Sequence, residues 1–121
     1  MLTKASKEYI ISVLYHEALH AYLAQKKIEL SETEFNTQFS GMLVNGGRLI
    51  GVQDPDHWPM GYTRFVNGIR DVILAFNPNF GSTRASALAV AGILPLNNAQ
   101  WTILQQELNT SKPGFQGTKC P

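Results

Sequence analysis

The chain has 121 residues, 44% of them apolar and 16% charged, with ten basic against nine acidic side chains and a net charge of +1. That length and apolar content suit one small folded domain rather than a disordered segment. The near balance of charge lacks the basic stripe that a nucleic-acid surface needs, no run of 18 apolar residues offers a membrane span, and the single cysteine, Cys120, can make no internal disulfide.

Residues 1–7 lack the apolar core of a signal peptide, which leaves the location open between the cytoplasm and delivery as part of a larger secreted protein. Residues 8–25 contain neither Gly nor Pro and are rich in strong helix formers. With Ser6 as N-cap, they predict a first helix running to about Lys26. Ile10, Ile11, Val13, Leu14, Leu19 and Leu23 spread round most of its circumference, the pattern of a helix buried on several sides. Within it stands His16-Glu17-Ala18-Leu19-His20, an HExxH pattern. Residues four apart lie one turn above each other, so His16 and His20 can offer both imidazoles to one metal ion. Glu17, about 100° round the helix, can reach a water on that ion without being a ligand. This is the working arrangement of many zinc peptidases, with the glutamate as general base. The plainer alternative is a pair of hydrogen-bonded histidines on a core helix. Buried ionisable side chains need partners, and a metal supplies one. The compact HExxHxxGxxH form is absent, because Leu23 and Lys26 stand where its Gly and last His would be.

A zinc site needs at least a third protein ligand. Residues 28–37 are polar, and Ser31-Glu32-Thr33-Glu34 reads as a capping box opening a short turn or helix. Residues 39–44 and 48–52, on either side of Asn45-Gly46-Gly47, read as a small two-stranded ribbon. An extended loop is the alternative, since Gly41 and Gly51 weaken both strands. The last histidine, His57, lies in Asp54-Pro55-Asp56-His57-Trp58-Pro59-Met60, directly before a new helical pattern. A chain reversal of this length can bring it back to the first helix, which makes His57 the expected third ligand. Asp54, Asp56, Glu29, Glu32 and Glu34 are the competing carboxylates.

The second helix is predicted from about residue 59 to 76, with Phe65, Ile69, Val72, Ile73 and Phe76 as one apolar stripe and Asn77-Pro78-Asn79 as its stop. The third takes Ser82 or Thr83 as cap, is rich in Ala for close packing, and is closed by Gly92 and Pro95. The fourth opens at Asn97 or Asn98 and carries Trp101, Ile103, Leu104 and Leu108 as its apolar set. Residues 111–121 are dominated by Ser, Lys, Pro, Gly and Thr and are expected to be a flexible tail. The fold class predicted is mainly α, α+β at most. It comprises one domain over 1–110 of about four helices, with a small β-hairpin or extended loop between the first and second.

Leu14-Tyr15-His16-Glu17-Ala18-Leu19-His20-Ala21-Tyr22-Leu23, followed at a distance by Asp56-His57-Trp58-Pro59-Met60 and a helix, resembles the SprT-like zinc metallopeptidase domains. The likeness is to a short bacterial variety in which an IHEALHAYL helix precedes an H-x-x-M helix and an ALAxGGL segment. Ala87-Leu88-Ala89-Val90-Ala91-Gly92-Ile93 echoes that last piece. The resemblance spans about residues 10–105, and HEALHAYL is its specific part. It implies a minimal zincin-like domain with Zn2+ held by His16, His20 and His57 and with Glu17 as catalytic base. The chain departs from the pattern at Trp58-Pro59, where an acidic residue or Gly is usual, and at Ala91, where Gly is frequent. Zincin domains place a β-sheet before this helix, whereas only about ten residues precede it here. That favours a C-terminal piece of a larger protein over a minimal domain. It leaves the ribbon around Asn45 as the candidate edge strand for an extended substrate.

The expected activity is zinc-dependent cleavage of a protein or peptide, as the catalytic domain of a bacterial effector. An inhibitor or immunity protein is a further partner, and neither nucleic acid nor membrane is expected. Glu17 takes the proton of the attacking water and passes it to the leaving amine. Tyr62, five residues after His57, is the first candidate to stabilise the anionic intermediate, followed by Tyr22 and Arg64, with ordinary packing as the alternative for Tyr62. Asp54, Asp56 and Asp71 are candidates to orient the ligand imidazoles. Two other readings compete: a non-catalytic protein-binding module on a relic peptidase fold, and a helical domain whose HExxH is accidental.

Overall fold

Ser6 starts the first helix as its sequence position suggests. Its side chain accepts the Tyr9 N–H at 3.2 Å, and α1 runs from there over Lys7–Glu29. The computed structural model describes residues 4–31, 33, 34, 63–91, 93 and 96–121. Among these the protein is mainly helical: α1 is followed by α2 (Thr63–Phe76), a 3-10 turn (Pro78–Phe80), α3 (Ser82–Val90) and α4 (Asn98–Leu108), with no strand. The ribbon expected over 39–52 lies outside the described residues, as do Pro59, Gly92 and Pro95.

The local start and stop signals mostly act as their chemistry predicts. Ser31 and Glu34 form the two reciprocal bonds of a capping box, Glu34 N–H to Ser31 Oγ at 3.1 Å and Ser31 N–H to Glu34 Oε1 at 3.2 Å. Hydrogen bonding to the carboxyl from Ser31, from its backbone N–H first and its side chain second, holds the exposed Glu34 carboxyl below the usual carboxylate range. Asn77 ends α2, its side chain accepting the Asn79 N–H in the 3-10 turn. Asn97 and Gln100 make a second complete capping box at the start of α4. The exception is α3. Neither Ser82 nor Thr83 caps it; Gly81, at φ +89°, turns the chain into the helix with no side-chain cap at all. That left-handed backbone suits glycine, which has no Cβ to clash.

The core lies where α2, α3 and α4 meet one side of α1. Ile69 and Ile73 of α2, Phe80 of the turn, Ala85, Leu88 and Ala89 of α3 and Leu104 of α4 form its centre. The small side chains of α3 allow the close approach expected of them, and α2 with α3 is the most extensive helix pair. Leu23 and Ile93 make a second, smaller cluster, bridged to the first by Leu19. Two expectations of burial fail. Leu14 is 61% exposed, and Tyr15, Tyr22 and Ile28 are open as well, so α1 is covered along the side carrying Leu19 and Leu23 and not on several sides. Trp101 and Phe76, counted in the apolar stripes of α4 and α2, stand 56% and 48% exposed.

The tail also departs from expectation, since residues 116–120 lie against the start of α1. Lys7 N–H donates to Thr118 O at 2.8 Å, and Cys120 Sγ approaches Ala5 O. Further back, the Thr110 N–H and hydroxyl both donate to Lys4 O. Two carboxylates with no solvent exposure, Glu8 of α1 and Glu107 of α4, hold this strap. Glu8 accepts from the Thr118 N–H at 2.6 Å, the Thr118 hydroxyl at 2.9 Å and Asn77 Nδ2 at 2.8 Å. Glu107 accepts from Arg84 and from the N–H groups of Gln116 and Gly117. Gly117 passes between them: a Cβ there would lie 2.6 Å from Glu107 Oε1 and 2.7 Å from Glu8 Oε1. Charge-assisted bonds to backbone N–H, not apolar side chains, fix the segment, which is why its composition gave no sign of order.

Candidate metal centre

Glycine-free and proline-free, α1 carries the HExxH residues through its middle turns without a kink, so the helical register alone sets their geometry. His16 Nε2 and His20 Nε2 lie 3.1 Å apart, with ring centroids separated by 4.8 Å and planes inclined at 63°. Both rings are half-buried. Two neutral imidazole lone pairs at this separation repel unless something positive lies between them. A single proton satisfies that as an N–H···N bond. A metal ion satisfies it equally: two Zn–N bonds of about 2.0–2.1 Å near the tetrahedral angle place their nitrogens roughly 3.3 Å apart. The donor set therefore fits a zinc ion with only a slight opening of the pair.

Glu17 is exposed and lies on one flank of the same face, lining a cleft of about 220 Å³ together with His16. The cleft follows α1 back through Val13, Ser12 and Tyr9, and its opposite wall is Leu88, Ala89, Ala91 and Leu104. Tyr9 and Ser12 went unnoticed in the sequence, although they stand seven and four residues before His16 and so share its helical face. Burial pushes the Tyr9 phenol above its usual value. The Ser12 hydroxyl donates to Tyr9 O at 2.6 Å.

The remaining candidates divide clearly. His57, Tyr62, Asp54, Asp56 and Glu32 lie outside the described residues. Glu29 is nine residues beyond His20, about 13 Å along the axis, and pairs with Lys26 at 3.3 Å on the surface. Glu34 is held in its capping box. Asp71 is exposed and paired with Arg70 at 2.8 Å, away from the imidazoles. Tyr22 follows His20 by two positions, which turns it about 200° round the helix to where its ring meets Lys26 Nζ. Arg64 lines a different, apolar cleft of about 250 Å³ with Tyr15, Leu19, Phe65 and Val72, on the flank of α1 opposite Glu17. Among the described residues, no group of three or more His, Cys, Asp or Glu side chains gathers to hold a metal ion. Two of the expected ligands are thus brought together, with Glu17 beside them.

Compared with known proteins, the chain matches no family model, no curated protein and no solved structure.

Proposed function

We propose that the protein is a zinc-dependent endopeptidase in which His16, His20 and His57 hold the metal and Glu17 is the general base. The observation that carries this reading is the 3.1 Å approach of the two Nε2 atoms on consecutive turns of α1. A bound zinc ion supplies a Lewis acid that acidifies water and polarises a carbonyl. The protein's own part is then positioning and proton transfer. His16 and His20 present their Nε2 atoms to one point. Glu17, exposed at the mouth of the cleft, accepts the proton of the attacking water at its carboxylate and returns it to the leaving amine. The cleft along α1 is lined by both His16 and Glu17, so a peptide carbonyl held in it lies near both. The likeness of HEALHAYL to the SprT-like metallopeptidases supports the same reading.

The test is metal analysis of protein purified without chelator, paired with Glu17→Gln. Zinc near one equivalent is expected in both proteins, with peptide cleavage in the first and a fall of at least about a thousandfold in the second, within the scale of loss seen when a catalytic acid–base group is removed. Cleavage unchanged by this substitution rules out the mechanism. A second reading, a non-catalytic binding module, is favoured by the exposed Leu14, Tyr15, Tyr22 and Ile28 of α1. It predicts zinc content without cleavage in either protein.

A further inference from the structure

The cleft beside Glu17 is longer than one reacting group requires. From Tyr9 to His16 is seven residues of helix, roughly 10 Å along the axis, and the cleft is lined over that whole length. An extended peptide rises about 3.3 Å per residue, so this length corresponds to about three residues of substrate. The far wall is built from small or aliphatic side chains, Leu88, Ala89, Ala91 and Leu104, which leave room between the helices while offering no charge. Leu88 and Ala89 are only 2% exposed and belong to the core, so this wall is rigidly backed.

Tyr9 stands at the end of the cleft remote from Glu17. Its ring packs against the core, while among the described residues its hydroxyl has no hydrogen-bond partner. The hydroxyl is not buried either: Arg84 Nε is the buried side-chain polar atom left without a partner among the described residues, so the Tyr9 hydroxyl reaches open space where water or a ligand can meet it. Helical side chains lean toward the N-terminal end, so Tyr9 points away from His16 and is too far along the helix to touch a carbonyl being attacked there. The neutral phenol that burial favours is a hydrogen-bond donor.

We propose that the α1–α3–α4 cleft is the substrate groove on one side of the scissile bond, holding about three extended residues with small or aliphatic side chains, and that Tyr9 is a positioning residue donating its hydroxyl to a substrate backbone carbonyl at the remote end. This rests on the peptidase reading and adds the substrate class to it: an extended, uncharged, weakly apolar segment. The same groove excludes bulky aromatic or charged side chains at those positions, because neither Ala89 nor Ala91 leaves a countercharge or a deep recess.

The experiment compares zinc-loaded wild type with Tyr9→Phe and Ala91→Leu on two peptide series. One series extends three residues to either side of the cleaved bond, and the other stops at one residue. For the long peptides Tyr9→Phe is expected to raise KM about tenfold, the loss of one hydrogen bond, with kcat, zinc content and melting temperature little changed. For the short peptides it is expected to change nothing. Ala91→Leu, at the half-buried end of α3, narrows the groove and is expected to shift preference toward Gly and Ala in the long series. Equal effects of Tyr9→Phe on both series, or wild-type KM values in both variants, overturn the groove while leaving the peptidase standing. Absence of cleavage by the zinc-loaded wild type overturns both.

Discussion

Replacing His16 or His20 with alanine removes one of two nitrogen donors whose Nε2 atoms already meet at 3.1 Å. Each substitution is expected to lower zinc affinity by at least two orders of magnitude, read by competition with a chromogenic chelator. In the accidental-motif reading the same substitutions cost only a hydrogen bond and a little packing, and no metal is found at the start. His57→Ala probes the third ligand. A comparable loss is expected, whereas untouched affinity transfers that role to a carboxylate. The helical part of the site was legible because a four-residue spacing fixes two side chains on one face before any tertiary contact forms. Tyr9 was not, because nothing distinguishes a cleft-lining tyrosine from a core one until α3 and α4 supply the opposite wall. Tyr22 stands on another side of α1 from His20, since two positions along a helix turn a side chain away from its neighbour.

Tyr9 also carries a pH signature. Burial raises its folded-state pKa above the ordinary value near 10. A raised folded-state pKa means that the folded chain holds this proton more tightly than the unfolded chain. The contribution to stability is intact below the unfolded value and is lost as pH rises through the folded one. The melting temperature is expected to fall above about pH 10 more steeply in wild type than in Tyr9→Phe. Parallel curves for the two proteins remove this assignment.

The elements show where sequence signals act locally and where neighbours decide. Capping boxes close on themselves within four residues, and both Ser31–Glu34 and Asn97–Gln100 appear with their two bonds in place. At Asn97 this is testable by substitution. Asn97→Ala removes the acceptor for the Gln100 N–H, bonded at 2.8 Å, and leaves Gln100 Oε1 reaching back alone. A loss of about 1 kcal/mol is expected in urea unfolding, with the slope of the transition unchanged. A loss within a few tenths would mean that tertiary packing, not the box, holds the start of α4. The start of α3 went the other way. Three small residues in succession, Gly81, Ser82 and Thr83, offered two side-chain caps, yet the backbone enters through a positive φ that only the glycine adopts readily. Composition, caps and apolar spacing together located the four helices among the described residues without deciding which side of α1 is covered, since its apolar residues circle the axis and only the partners choose among them.

At the scale of the whole molecule, the first and last turns of the described chain are joined through two buried carboxylates. Deleting residues 116–121 tests how much of the fold this closure supports. Glu8 would lose the Thr118 N–H and hydroxyl and keep Asn77; Glu107 would lose the Gln116 and Gly117 N–H groups and keep Arg84. A buried carboxylate stripped of donors costs more than the bonds themselves were worth, because its oxygens stay desolvated until water reaches them. Opening of the strap also lets water in, which limits the damage. A loss of about 3 kcal/mol is a reasonable lower bound, corresponding to a fall in Tm on the order of 10 °C for a domain of this size. The double substitution Glu8→Gln, Glu107→Gln keeps the shape but replaces one accepting oxygen at each site with an NH2 donor, where both oxygens are now used; it is expected to be destabilised at least as much as the deletion. Zinc binding separates stability from site geometry. His16 follows Glu8 by eight residues, about 12 Å along the helix, and the middle of α1 is backed by α2 and α3 independently of the strap. The truncated chain is therefore expected to melt earlier yet bind zinc with wild-type stoichiometry below its transition. A wild-type Tm after truncation would show that α1 is held in register by its core contacts alone.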